Sequence, residues 1–165
     1  MKIVVVGTRG IPDIQGGVET HCEELYPRLA AMGHDVTVVR RSCYVTPQNK
    51  IKEYKGVHLK DIYAPRRKSI EAIVHTFLAI IYARWVGADV LHIHAIGPAL
   101  LTPLARLLGL RVVMTHHGPD YDRQKWNKTA KSVLRWGERM GTNYANEVIV
   151  ISTVIDNILR EKYDR

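Results

Sequence analysis

Residues 1–33 constrain the fold of this chain more than any other stretch. Residues 2–6 form an apolar run short enough for a buried strand, and a glycine-rich segment, residues 7–17, follows it. The pattern then changes to helical spacing, on a face made by Val18, Cys22, Leu25, Leu29 and Met32. Gly33 ends the helix where glycine commonly adopts a left-handed cap. The stretch therefore predicts a strand, a glycine-rich turn and a helix that starts at a double glycine.

This junction predicts a binding site for an anion. The N–H groups at a helix start are unpaired, the helix dipole is positive there, and glycine lets a ligand approach the backbone. The turn is not a Walker A loop, because no Gly-Lys-Ser/Thr follows it. It also lacks Gly-x-Gly-x-x-Gly, and the second strand ends in Arg40 and Arg41 instead of an acidic residue. Arg40 facing a 2′-phosphate keeps a nicotinamide-dependent oxidoreductase open as an alternative.

The rest of the chain predicts strands that alternate with helices. Further strands are predicted at residues 35–40, 57–63, 89–94, 111–115 and 147–151. Residues 42–56 are predicted as a long connection, Ser69 as the start of an apolar helix, and Gly97 as the start of another. Pro27 interrupts the first helix, which we retain because the apolar period continues across it. Alternating apolar strands and helices predict one doubly wound, Rossmann-like α/β domain with a parallel sheet of about six strands.

In such a sheet the ligand crevice lies outside the carboxyl ends of the strands. His94 and His117 end two predicted strands next to the anion loop, which favours contact with a substrate. A zinc site made by His92, His94, His116 and His117 is an alternative. No cysteine or carboxylate lies in ligand spacing nearby, so we expect no metal at these residues.

The composition limits the class of partner. The formal net charge of +8 suits nucleic acid, anionic lipid or a phosphorylated small molecule. No helix-turn-helix, RNP motif or zinc finger is present in the sequence, so nucleic acid is not expected. Cys22 and Cys43 fit a reduced, cytoplasmic setting. Lys2 leads straight into a strand, so no cleavable signal peptide is expected.

A basic segment precedes the apolar helix at residues 69–86. Arg66, Arg67 and Lys68 form either a solvated rim or an attachment to anionic lipid, because basic residues beside an apolar helix suit a membrane interface. The helix is too short, and too interrupted by charge, to span a membrane.

Several segments resemble the opening of family 4 glycosyltransferases. They are Gly7-Thr-Arg-Gly-Ile-Pro, Gly16-Gly17-Val-Glu-Thr, Glu24-Leu-Tyr-Pro-Arg-Leu29 and Gly33-His-Asp-Val-Thr-Val38. His92-Ile-His94 and Thr115-His-His117-Gly118 fall where that family has its strand-end histidines. The nearest branch resembles bacterial rhamnosyl- and related transferases that build cell-surface polysaccharides. Pro27 is typical of that branch.

The resemblance implies one half of a GT-B architecture, in which two Rossmann-like domains face each other across a cleft. It implies transfer of a sugar, with retained anomeric configuration, from a nucleotide-sugar donor to a glycan or polyprenyl-linked acceptor, without cofactor or metal. Gly16 and Gly17 would approach the donor diphosphate, and His117 would be the catalytic residue beside the transferred sugar. Acceptor-binding residues would be Arg9, His94 and His116. A membrane-facing edge on the inner face of the plasma membrane would be Arg66, Arg67 and Lys68.

The resemblance also implies a division of labour between two domains. Residues 1–165 correspond to the first, acceptor-side domain, and the nucleotide-sugar pocket belongs to a C-terminal domain, supplied in cis or in trans. We therefore expect little transferase activity from this chain alone. A non-catalytic membrane-recruitment subunit of a split glycosyltransferase and a nicotinamide-dependent oxidoreductase fragment are the alternatives.

Overall fold

The computed structural model describes residues 1–68 and 70–164. The strands are β1 (Lys2–Val6), β2 (Asp35–Arg41), β3 (Glu53–Tyr54), β4 (Val57–Ile62), β5 (Val90–His94), β6 (Val112–His116) and β7 (Glu147–Val150). The helices are α1 (Gly17–Ala31), α2 (Glu71–Trp85), α3 (Thr102–Leu107), α4 (Lys128–Tyr144) and α5 (Thr153–Tyr163). Ser69, the predicted start of α2, and Arg165, the end of the predicted domain, lie outside the described residues.

The strands form one sheet in the order β3-β4-β2-β1-β5-β6-β7. All neighbouring strands are parallel except the β3–β4 pair, which is antiparallel. The chain builds outward from β1 to β2 and β4, and then from β5 to β7 on the other side. The order in which the chain adds strands therefore reverses between β1 and β5, and ligands of doubly wound folds bind at such a point. The predicted fold class is confirmed, and β3 is an extra two-residue strand inside the predicted connection.

Each face of the sheet has its own apolar core, and β1 contributes to both. Val4 and Val6 pack with the cluster under α2 and α4, while Ile3 and Val5 pack with Cys22 and the rest of the cluster under α1. Alternate residues of a strand point to opposite faces. The continuous apolar run of β1 is thus explained by burial on both sides.

Two prolines have different effects on their helices. Pro27 lies within α1, which continues to Ala31 as the apolar period predicts. The helix predicted from Gly97 instead divides into a 3₁₀ segment, Pro98–Leu101, and the short helix α3. Pro103 has no N–H to donate to the Ala99 carbonyl, which accepts a hydrogen bond from the Thr102 hydroxyl at 2.7 Å instead.

Candidate functional site

The crevice forms where the carboxyl ends of β1 and β5 meet the start of α1. Gly7, directly after β1, has a φ of +101°, and a Cβ there would overlap the backbone carbonyl of His94. Only glycine therefore permits this approach between the two strand ends. This contact places the glycine-rich loop beside His94, as the sequence predicts.

The two glycines at the start of α1 have different structural roles. Gly16 has a φ of +147°, and a Cβ there would overlap the carboxylate of Glu19. Gly17 begins α1, and a Cβ there would meet nothing within 4 Å among the described residues. The fold itself therefore requires glycine at position 16, whereas glycine at position 17 leaves open space beside the helix start.

Part of the predicted anion loop holds a carboxylate of the chain itself. Glu19 is buried and accepts hydrogen bonds from the Thr8 hydroxyl at 2.8 Å and the Arg9 N–H at 3.1 Å. In the described chain no side chain caps the start of α1. A ligand anion would therefore find its N–H donors at the first turn of α1, near Gly17, and not at the Arg9 backbone.

Five side chains form a hydrogen-bonded row through the crevice. The Tyr26 hydroxyl lies 2.6 Å from Nδ1 of His92 and 2.5 Å from Nε2 of His94. Nδ1 of His94 lies 2.9 Å from Nε2 of His117, and Nε2 of His92 lies 2.7 Å from the Thr115 hydroxyl. We call these residues the histidine row. His117, at its outer end, is half-buried.

The imidazoles of the histidine row are neutral at pH 7. Burial, reinforced by neighbouring histidines, lowers the pKa of His117 to about 4 and that of His92 to about 3. The same causes hold the pKa of His94 well below its usual range. Because a neutral imidazole has one N–H and one lone pair, the row points in one of two directions. Reversing it converts Nδ1 of His117 from a hydrogen-bond donor to an acceptor.

His116 lies outside this row, although the sequence places it with the acceptor-binding residues. Its Nδ1 accepts the Gly118 N–H at 3.0 Å, so its Nε2 donates to the Glu138 carboxylate at 2.7 Å. Both side chains are buried. The structure leaves His116 no ring nitrogen for an acceptor and gives it the role of fixing the turn after β6 to α4.

Tyr44 lies close to three of the predicted cationic residues, Arg9, Arg66 and Lys68. The Arg9 side chain is exposed, and its guanidinium carbon lies 5.1 Å from the centre of the Tyr44 ring. A hollow of about 250 Å³ has a lining that includes Tyr44, Arg66, Lys68 and Glu71. Arg66, Arg67 and Lys68 are all exposed. The structure therefore separates the predicted site residues into two sets. His94 and His117 lie in the crevice, and the cations Arg9, Arg66 and Lys68 lie near the hollow.

The two buried arginines that end β2 bind partners within the fold. The Arg40 guanidinium donates to Asp61 at 2.6 and 3.1 Å and to the carbonyls of Ile11, Asn49 and Ile51. Arg41 donates to Glu71 at 2.8 Å and to the Gly7 carbonyl at 3.1 Å. Arg40 therefore has no donor left for a 2′-phosphate, and the nicotinamide alternative loses the residue that supported it.

His21 is the crevice residue that the sequence analysis did not find. Its ring centre lies 5.8 Å from that of His94 and 5.1 Å from that of His117. The signal was its spacing, because residues four apart in a helix share a face and His21 lies one turn after Gly17. The zinc set that the sequence left as an alternative is not assembled, since the ring nitrogens of His92 and His116 are engaged elsewhere. Among the described residues, His21, His94 and His117 are the histidines whose ring nitrogens come together.

Comparison with known sequences now decides the family. The sequence model described as Glycosyltransferase Family 4 matches residues 15–165. The chain belongs to glycosyltransferase family 4. The matched segment of this family 4 domain contains Gly16, Gly17, His21, His94 and His117. No curated protein matches the chain in sequence.

The fold of this family 4 domain is similar to that of sucrose-phosphate synthase from Thermosynechococcus elongatus. Against the whole synthase the TM-score is 0.67 at 20% identity, covering 98% of this chain and 45% of that chain. Against a shorter chain of the same enzyme the TM-score is 0.66 at 19% identity, covering 98% and 82%. The expected fold, one Rossmann-like half of a GT-B architecture, is confirmed. The family 4 chain spans about half the length of the whole synthase.

Proposed function

We propose that this domain is the acceptor-side wall of a cleft in which a sugar passes, with retention, from a nucleotide-sugar donor to a glycan or polyprenyl-linked acceptor. The observation that carries the proposal is the position of neutral His117, whose ring centre lies 5.1 Å from that of His21, one turn into α1, at the point where the strand order reverses. By resemblance, the enzyme that contains this domain would belong with the rhamnosyltransferase-like enzymes of cell-surface polysaccharide synthesis. A second domain, in cis or in trans, would hold the nucleotide, and residues 1–165 alone would transfer little sugar.

The chemistry that we propose needs stabilisation of a leaving phosphate. As the bond between the sugar and the diphosphate breaks, negative charge develops on a phosphate oxygen. The acceptor oxygen forms the new bond to the sugar, and its proton passes to the departing phosphate oxygen. Preorganised donors aimed at that charge lower the barrier, and here they are the N–H of His117 and the N–H groups of the first turn of α1. Transfer of this kind uses no metal cofactor.

The exposed cations Arg9, Arg66 and Lys68 support an acceptor that has its own negative charge. Arg66 and Lys68 line one hollow with Tyr44, and exposed Arg9 lies over the Tyr44 ring. Arg40 and Arg41, in contrast, are held inside the fold by Asp61 and Glu71. Exposed guanidinium groups suit phosphate, which they bind through two parallel hydrogen bonds. We propose that the phosphate of a lipid-linked acceptor binds there, with His94 positioning His117 from behind.

Gly17→Val tests the proposed donor site. The fold has space for the side chain, so we expect a change in free energy of unfolding of at most about 0.5 kcal/mol. The same side chain would displace the donor diphosphate, and about 100-fold loss of kcat/KM in the two-domain enzyme is expected. Urea unfolding and sugar release from nucleotide sugars measure the two effects.

Gly16→Ala is the matched comparison for that experiment. It places a side chain at a φ of +147° against Glu19, and we expect it to destabilise the domain by about 1–3 kcal/mol. A Gly17→Val enzyme with full activity would contradict the placement of the diphosphate at the start of α1.

A membrane-recruitment role is the second candidate, favoured by an apolar stripe on the outer face of α2. Phe77, Ile81 and Trp85, spaced by four residues, are 46%, 47% and 83% exposed. The basic residues 66–68 precede this helix. Among the described residues, no helix is long and apolar enough to cross a bilayer. We propose that the stripe and the basic residues together dock on an anionic lipid surface.

Replacing Arg66, Arg67 and Lys68 together by glutamine is expected to weaken binding to phosphatidylserine vesicles about 100-fold, at about 1 kcal/mol for each cation. Vesicle sedimentation at two salt concentrations measures the affinity. Added salt should weaken vesicle binding by the unmodified chain more than vesicle binding by this triple variant. The triple glutamine variant of Lys125, Lys128 and Lys131 changes the net charge equally and serves as the control. Equal losses in the two variants would contradict a specific docking edge.

A further inference from the structure

We infer that His21, His94 and His117 form a binding site for one transition-metal ion of the Zn²⁺ type, and that an ion bound there inhibits the proposed transfer. One ring nitrogen from each of these histidines lies within 4.8 Å of the others. The three residues come from α1, the end of β5 and the segment after β6. We call them the histidine trio.

The spacing of the trio is close to that of a zinc site. Two nitrogens bound to one tetrahedral Zn²⁺, each at about 2.0–2.1 Å, lie about 3.3 Å apart. Nδ1 of His94 and Nε2 of His117 are already 2.9 Å apart. A small outward movement of these rings, with His21 turning toward them, would therefore complete three ligands without change to the backbone.

The protonation of the trio suits a metal. Imidazole binds a metal only in its neutral form, and the hydrogen bond between Nδ1 of His94 and Nε2 of His117 needs a lone pair on one of these two nitrogens. When the ion binds both facing nitrogens, the proton of His94 lies on Nε2 and that of His117 moves to Nδ1. The ion therefore replaces one hydrogen bond and no proton has to leave the protein.

Tyr26 supplies the outer support that a metal-bound histidine needs. With its proton on Nε2, His94 donates to the Tyr26 hydroxyl, which donates in turn to Nδ1 of His92. His92 then donates from Nε2 to the Thr115 hydroxyl. Such outer partners fix the orientation of ligating histidines and raise their basicity. The histidine row thus has one direction that matches a metal at its outer end.

His21 and His117 are half-buried, so the ion would keep a fourth position open toward the crevice. Three nitrogens and no thiolate favour Zn²⁺, Ni²⁺ or Co²⁺ over Mg²⁺ and Ca²⁺, which prefer oxygen ligands. The inhibition rests on the proposed function, because an ion held by Nε2 of His117 would fix the imidazole whose Nδ1–H is proposed to face the leaving phosphate, and would occupy the crevice beside it.

The test is a titration of the tag-free chain with Co²⁺, followed by absorption, and with Zn²⁺, followed by calorimetry. We expect one equivalent and the absorption bands of a four-coordinate Co²⁺ ion. His21→Gln should weaken binding by about 100-fold or more, since loss of an outer partner alone costs about 10–100-fold. Tyr26→Phe, which removes the outer partner of His94, should weaken metal binding by about 10–100-fold. His58→Gln, an exposed histidine on β4, should have no effect.

Two results would overturn the metal site: no Co²⁺ spectrum, or equal affinity in the chain and its His21→Gln variant. The inhibition is read separately, as loss of transfer by the two-domain enzyme on adding Zn²⁺, with recovery when the ion is removed by a chelator. Binding without inhibition would support the metal site and overturn the placement of His117 beside the donor. Absence of binding with normal transfer would remove the metal site and leave the proposed function in place.

Discussion

Replacing His117 by alanine in the two-domain enzyme is expected to lower kcat/KM for sugar transfer by about 100- to 1000-fold, most of it in kcat. The loss of one preorganised donor to a developing oxyanion has this size in other enzymes. His117 is neutral because burial lowers its pKa to about 4, so at pH 7 it presents an N–H without a net charge. An uncharged donor gains strength as the phosphate becomes more negative, which selects the transition state over the bound donor.

The measurement separates a role in catalysis from a role in folding. His117→Gln keeps an N–H donor of similar reach, and we expect it to recover part of the activity that His117→Ala loses. Sugar release from UDP-, GDP- and dTDP-sugars gives kcat and KM, and urea unfolding gives stability. His34→Ala, at the opposite end of α1, is the control. Equal kcat in the alanine and glutamine variants, or a loss confined to KM, would contradict the assignment.

The sequence predicted the parts of this site that local rules control. The strand at residues 2–6, the double glycine and the cap at Gly33 follow from periodicity and backbone freedom, and all are in the structure. Strand ends are local as well, so His94 and His117 could be placed in the crevice. Parallel pairing of their strands then brings the two rings together, which follows from the fold class.

What the sequence could not predict depends on contacts between distant elements. His21 is an ordinary polar residue of a helix until the packing of α1 brings it to His94. His116 resembles its neighbour His117 in sequence, yet the alternation of the strand end turns it toward Glu138, 22 residues later. Arg40 gave no sign of burial, because its partner Asp61 lies on another strand. The chemistry of a histidine or arginine here is decided by its partners.

Glu138→Gln is expected to destabilise the domain by about 3–5 kcal/mol at pH 7. The Glu138 side chain is fully buried and accepts from Nε2 of His116 at 2.7 Å. Three further side chains donate to the same carboxylate: Tyr121, Tyr163 and Lys162. Glutamine offers one acceptor oxygen, and its amide would direct N–H groups at these donors. The variant therefore leaves buried donors unpaired and α4 poorly held to the turn after β6.

The pH dependence distinguishes the carboxylate from simple packing. Burial alone would raise the pKa of Glu138, but hydrogen bonds from His116 and Tyr163 and the charge of Lys162 lower it to about 2, from an ordinary 4.5. Its contribution is complete above about pH 4.5 and is lost as the pH falls toward 2. His92 and His117, whose pKa is lowered by burial, destabilise the fold from about pH 6.5 downward, because the unfolded chain binds protons there that the folded chain does not; this holds in the parent and the variant alike. The difference between the two proteins therefore isolates Glu138.

Urea unfolding of parent and variant at several pH values between 7 and 3 measures that difference, which should shrink below pH 4.5. Glu24→Gln is the matched control, because Glu24 pairs with Arg28 on the exposed face of α1 and both side chains are more than 70% exposed. We expect that change to cost less than about 0.5 kcal/mol. A Glu138→Gln loss that stayed constant from pH 7 to pH 3 would show that shape, and not charge, holds α4 to the sheet, since only the charged form is removed by acid.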